Sequence, residues 1–356
     1  MNLHTGGTIM KKFKPLIVLA SILFALTLVI PAVLVLPFSD GKASGKLGEE
    51  LARGKNTPSK TVASTTKDPA VEVSVFRSAK SAIEKVELED YLVGVVSAEM
   101  PADFNDEALK AQALAARTYI VNRLTTKSQL GMPKGVNADV TDTIIHQVYK
   151  SDAEQRRDWG KDYAWKKKKV LTAVRATSGQ ILTYKGKPIT ATFFSTSNGY
   201  TENSEDFWNG EIPYLRSVPS PWDKGTEKFI YKQEIPVSQF EARLGVRVGS
   251  GGTIGKIISR TEGKRVAQVN FNGKILTGKE IREKLDLRST DFSWERKGGS
   301  IMITTKGFGH GVGMSQYGAN GMAAEGKSYK DIVKHYYKGV QITSAENMLA
   351  TVTARK

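Results

Sequence analysis

The first pattern along the chain is an unbroken apolar one. From Leu16 to Phe38 the positions are hydrophobic except for Ser21, Thr27, Pro31 and Pro37, and Lys11, Lys12 and Lys14 stand just before. About 20 apolar residues cross the hydrocarbon core of a bilayer, so this stretch predicts a transmembrane anchor over residues 16–38. Basic flanks stay cytoplasmic, which leaves residues 1–15 inside and places the rest outside. A cleaved signal is the alternative, with Ala43-Ser44-Gly45 as a poor cleavage site, although signal cores usually span about 7–15 residues. Residues 39–68 are rich in Gly, Lys, Ser and Thr and read as a flexible tether.

Beyond the tether the pattern turns globular. Val71 to Phe76 alternates apolar and polar residues, as a strand does. Leu88, Leu92, Val95, Val96 and Glu99 follow helical spacing, and Pro101 ends that helix. A second helix opens at Asn105-Asp106 and runs through Ile120, rich in alanine for close packing. Residues 125–165 show little apolar period and predict an irregular insertion. A helix follows over 165–177, then a hairpin of Gln180–Tyr184 with Ile189–Phe194 around Lys185-Gly186. Residues 225–300 read as a smaller region of strands with a short helix near 279–285. The last block alternates glycine from Gly307 to Gly313 and then turns helical near 317–325 and 330–337. The expected fold is α+β, mixed helices and antiparallel strands with a smaller inserted subdomain, spanning 69–343 and followed by a tail over 344–356.

Composition narrows the chemistry. The 356 residues include no cysteine, which removes disulfides, thiolate metal sites and cysteine nucleophiles. The formal charge of +16 calls for an acidic partner. With the globular part outside the membrane, nucleic acid falls away and an anionic wall polymer rises. His4, His146, His310 and His335 are not spaced as ligand pairs on one element, so no metal or other cofactor is expected.

Four constellations could carry chemistry. Glu99 breaks the apolar stripe of its helix; a carboxyl held among apolar groups has a raised pKa, as a general acid requires. A structural salt bridge, with Arg117 as one partner, is the other reading. The segment Glu107–Tyr119 offers Gln112 and Arg117 to a neighbouring site, or is simply a core helix. Phe194–Glu202 is a tight hydroxyl-rich loop able to bond sugar hydroxyls, or only a turn. Gly307–Ala319 removes side chains from one face of an extended segment, for a ligand or for packing. It lacks the lysine of a P-loop and the acid of a dinucleotide fold.

Together, in this order, these segments resemble the sporulation lytic transglycosylase family of stage II sporulation protein D. The resemblance rests on Glu89-Asp90-Tyr91-Leu92 through Glu99-Met100-Pro101, on Glu107–Gln112 through Arg117-Thr118-Tyr119, on Ser195–Gly199 and on Gly309–Gly318. It implies cleavage of MurNAc–GlcNAc bonds in peptide-free peptidoglycan strands, leaving 1,6-anhydro-MurNAc ends, during forespore engulfment. Glu99 is then the catalytic acid, and Arg117, Gln112, Ser197, Asn198, His310, Gln316 and Tyr317 match motif positions for binding glycan or holding the acid. Implied partners are stage II sporulation proteins M and P, at the mother-cell membrane facing the forespore. Asn198 stands where the motif expects glycine. Some relatives hold zinc through cysteine and histidine, which this chain cannot do. The same domain occurs in enhancers of an N-acetylmuramoyl-alanine amidase, and a non-catalytic wall-binding role is the alternative.

Overall fold

The computed structural model describes residues 71–208, 210–249 and 254–354. The expected anchor, tether and cytoplasmic segment lie outside these residues. Among the described residues, no helix is long and apolar enough to cross a membrane.

The chain enters through the antiparallel hairpin β1 (Glu72–Arg77) and β2 (Ala82–Glu87), then forms α1 (Leu88–Glu99) and α2 (Asp106–Thr126). The α2 helix buries Ala108, Ala111, Ala113, Ala115 and Ala116. Small side chains let neighbours approach it from several directions, and it is the centre of the larger core.

Residues 125–165 are more ordered than their polarity predicts. Strand β3 (Val140–Thr141) adds to β1 in parallel. Helix α3 (Asp152–Trp159) begins with a capping box of Ser151 and Glu154, which satisfies otherwise orphaned helix donors. Helix α4 (Tyr163–Ala176) follows, and the hairpin partner of β4 (Gln180–Tyr184) is only the short β5 (Lys187–Pro188). The expected second hairpin strand breaks up: β6 (Phe193–Phe194) pairs in parallel with β13 (Met314–Ser315) instead.

Between β6 and β13 lies a subdomain with its own core, including Ile235, Phe240, Val269, Ile281, Phe292 and Ile303. It contains β7 (Ile230–Pro236), α5 (Val237–Leu244), β8 (Lys256–Arg260), β9 (Val266–Phe271), β10 (Lys274–Thr277), α6 (Gly278–Leu285), β11 (Phe292–Lys297) and β12 (Ser300–Lys306). Two three-stranded antiparallel sheets, ordered β10-β9-β8 and β11-β12-β7, frame that core. The chain then returns through β13 to α7 (Gln316–Ala324), α8 (Tyr329–Tyr336) and β14 (Gln341–Ser344), the last antiparallel to β4. Residues expected to trail as a tail form α9 (Glu346–Thr353), because Leu349 and Val352 enter the larger core. The fold is therefore α+β.

Candidate active site

Glu99 is the last residue of α1, half-buried, and its carboxylate Oε1 accepts one hydrogen bond, from the Val148 amide at 2.7 Å. Burial pushes its pKa up to about 7, and the Val148 bond pulls the other way. Among the described residues no charged neighbour contributes to that balance.

The segment supplying Val148 is pinned along α1. Tyr149 stacks on Tyr91 at 5.6 Å, the Lys150 amide donates to the Gly94 carbonyl at 3.3 Å, and the Tyr91 hydroxyl donates to Gln147 Oε1 at 3.1 Å. Gly94 makes this possible: a Cβ there would stand 2.3 Å from a Tyr149 ring carbon. A backbone donor in a polar loop has no sequence signature, so Val148 was not legible; glycine inside an apolar helix was the single available hint.

Gln316 and Gln112 meet at the end of α1. Gln316 Nε2 donates to the Glu99 carbonyl at 2.9 Å and lies 3.5 Å from Gln112 Oε1. Gln112 is fully buried and among the described residues its own Nε2 has no hydrogen-bond partner, so it lies behind Gln316 and has no surface to offer a strand. Tyr317 stays half-open, edge-on to Phe104 at 4.9 Å, with the Lys228 ammonium 5.2 Å from its ring.

Arg117 is not the partner of Glu99. It pairs with Glu89 in the first turn of α1 and donates to the Val174 carbonyl of α4 at 3.1 Å. Being fully buried, it ties α1, α2 and α4 together and does not reach solvent.

The hydroxyl loop also turns inward. Ser197 donates through its amide and its hydroxyl to Asp223, both at 2.8 Å, while Ser220 and Ser315 donate to the same carboxylate at 2.6 and 2.5 Å. Asp223, fully buried and missed by the sequence reading, thus joins three segments distant in sequence. Asn198 donates to the Gly263 carbonyl and to Asp291, each at 2.9 Å. These groups spend their hydrogen bonds within the protein.

His310 is packed among Phe194, Phe207 and Trp208. Its Nδ1 accepts from the Val312 amide at 3.0 Å, and burial, with Arg282 and Arg265 nearby, pushes its pKa down to about 3. It packs as a neutral wedge between these rings. Behind it Arg265 and Glu202 form a buried ion pair at 3.4 Å. A Cβ on Gly311 would lie 2.5 Å from the Arg265 guanidinium carbon, so this glycine of the alternating run is required by packing. Among the described residues no group of three His, Cys, Asp or Glu side chains could hold a metal ion.

The family model described as "Stage II sporulation protein" matches residues 77–184, which include Glu99, Gln112, Arg117 and Val148. Stage II sporulation protein D of Bacillus amyloliquefaciens is 50% identical over 345 residues, covering 96% of this chain and all of that one. The chain belongs to the stage II sporulation protein D family. The family protein of Bacillus subtilis strain 168 is 49% identical over 348 residues, covering 98% of this chain and all of its own. A protein of the same organism named amidase enhancer is 30% identical over 308 residues, covering 71% of this chain and 40% of its own length.

Proposed function

We propose that this chain is a peptidoglycan lytic transglycosylase, cutting MurNAc–GlcNAc bonds of peptide-free strands with Glu99 as its acid. The supporting observation is the state of that carboxyl: desolvated, held by one amide and poised near neutrality, with no second carboxylate among the described residues acting on it. Ordinary glycosidases pair an acid with a base or nucleophile. A single carboxyl suffices when the sugar supplies its own nucleophile. Protonated Glu99 gives its proton to the glycosidic oxygen, and the bond from that oxygen to C1 of MurNAc breaks. The 6-hydroxyl of the same MurNAc then closes on C1, and its proton returns to the Glu99 carboxylate. No water is consumed, and the strand ends in 1,6-anhydro-MurNAc. Gln316 fixes the backbone at the acid with Gln112 behind it, and Tyr317 lies half-open beside Gln316.

In the cell this activity fits forespore engulfment, alongside stage II sporulation proteins M and P. The apolar stretch over 16–38 would hold the domain against the wall from the mother-cell membrane, and the formal charge of +16 suits an anionic wall. A second reading is favoured by the relative named amidase enhancer: binding of strands without cutting. Incubating the full-length chain with peptide-free strands separates the two. Mass spectrometry should find anhydro ends from the wild type and none from Glu99→Ala. Reducing ends would mean a hydrolase, and binding without cutting by both folded proteins would establish the enhancer role.

A further inference from the structure

Beside the candidate site the glycine stretch and the subdomain form an exposed ledge. The Arg288 guanidinium lies 3.6 Å from the centroid of the Tyr231 ring and 5.3 Å from that of Phe308. Both rings are open to solvent, at 36% and 37% exposure. The backbone beneath is fixed: Gly309 donates to the Arg288 carbonyl at 2.9 Å, and Phe308 and Thr196 exchange bonds at 2.7 and 3.0 Å. The ledge lies near Tyr317, whose amide donates to the Ser195 carbonyl at 3.1 Å, one residue before the Thr196 that pairs with Phe308.

The stacked Arg288 guanidinium keeps its edge unpaired. Arg77, Arg216, Arg260 and Arg265 each bond a carboxylate. Among the described residues the Arg288 side chain makes no hydrogen bond or ion pair. A planar guanidinium stacked on a ring, with its N–H fork unoccupied, is pre-organised for a carboxylate. The flanking rings present faces against which the C–H side of a sugar can pack.

We propose that Tyr231, Arg288 and Phe308 bind a pyranose carrying a free carboxylate, in a wall strand a muramic acid whose lactyl group bears no peptide. This rests on the strand-cutting reading above. A stem peptide converts that carboxylate into an amide, which removes the charge Arg288 would pair with. The ledge would thereby sense whether a strand has been stripped.

The test uses the full-length Glu99→Gln chain, so that nothing is cut, and two tetrasaccharide probes: a peptide-free wall fragment and the same fragment with its lactyl carboxylates amidated. The free fragment should bind about tenfold tighter, equivalent to about 1.4 kcal/mol. Adding Arg288→Gln should erase the preference, and Arg288→Lys should restore only part of it. Equal affinity for both probes, or a preference that survives Arg288→Gln, overturns the proposal while leaving strand cutting intact. If neither probe binds and the wild type releases no products, the strand-cutting reading falls and this one with it.

Discussion

Replacing the Glu99 carboxyl by a carboxamide should abolish cutting and make the protein more stable above neutral pH. In the fold Glu99 holds its proton up to about pH 7, against an ordinary value of 4.5. Between those values the native state keeps a proton that the unfolded chain has released, so stability falls as pH rises through that window and levels off above it. At about 1.4 kcal/mol for each tenfold change in proton affinity, the full effect is about 3 kcal/mol, trimmed somewhat because the group is only half-buried. Glu99→Gln keeps an acceptor for the Val148 amide and carries no charge. The variant should therefore match wild type near pH 4.5 and exceed it by roughly 2–3 kcal/mol at pH 8. Urea unfolding at pH 5, 6, 7 and 8 measures the difference, provided the slopes agree. His310 titrates with the opposite sign, adding stability as pH rises from about 3 towards 6.5, but it is common to both proteins and cancels. A difference that does not change with pH would show that the carboxyl is not held in a desolvated socket, and the case for an acid working at neutrality would go with it.

Two further outcomes follow from the packing. In Gly94→Ala the new Cβ, 2.3 Å from the Tyr149 ring and 2.7 Å from the Lys150 carbonyl oxygen, should lift the 147–150 segment from α1. That overpacking costs roughly 1–3 kcal/mol, and strand cutting should drop about tenfold or more as Val148 leaves Glu99; unaltered cutting would remove Val148 from the mechanism. In labelled protein the His310 ring should show no titration between pH 5 and 8 by NMR, because burial keeps it neutral; a midpoint near 6.5 would refute that assignment.

Much of the fold was legible because periodicity reports burial directly. The α1 and α2 helices and the helix at Gly278–Leu285 fall within a few residues of their expected places, and the region expected to hold strands holds β7 to β11. What was not legible depends on long-range pairing. Strand β3 is two residues long and exists only because β1 offers an edge, and β6 leaves its expected hairpin because β13 lies beside it. The candidate site divides in the same way. Glu99 stood out as one polar group on an apolar stripe. The roles of Ser197 and Asn198 could not be read without Asp223, Gly263 and Asp291, which are distant in sequence.

The triplet Glu99-Met100-Pro101 has a physical reason to be a unit. Proline forces the residue before it out of the helical region, and Met100 is extended at φ −126° and ψ 135°. Glu99 thereby becomes the final helical residue, where the partial negative charge of the helix end disfavours a carboxylate. Burial acts in the same direction. Opposing both is the Val148 amide, while the Gln316 carboxamide satisfies the Glu99 carbonyl and leaves the acid to that one donor. A carboxylate accepting two or three amide bonds would ionise far below neutrality, and one with none would stay protonated well above it. One donor at the end of a proline-stopped helix holds the group between those limits, where the proposed cycle needs it: able to give up a proton and to take one back.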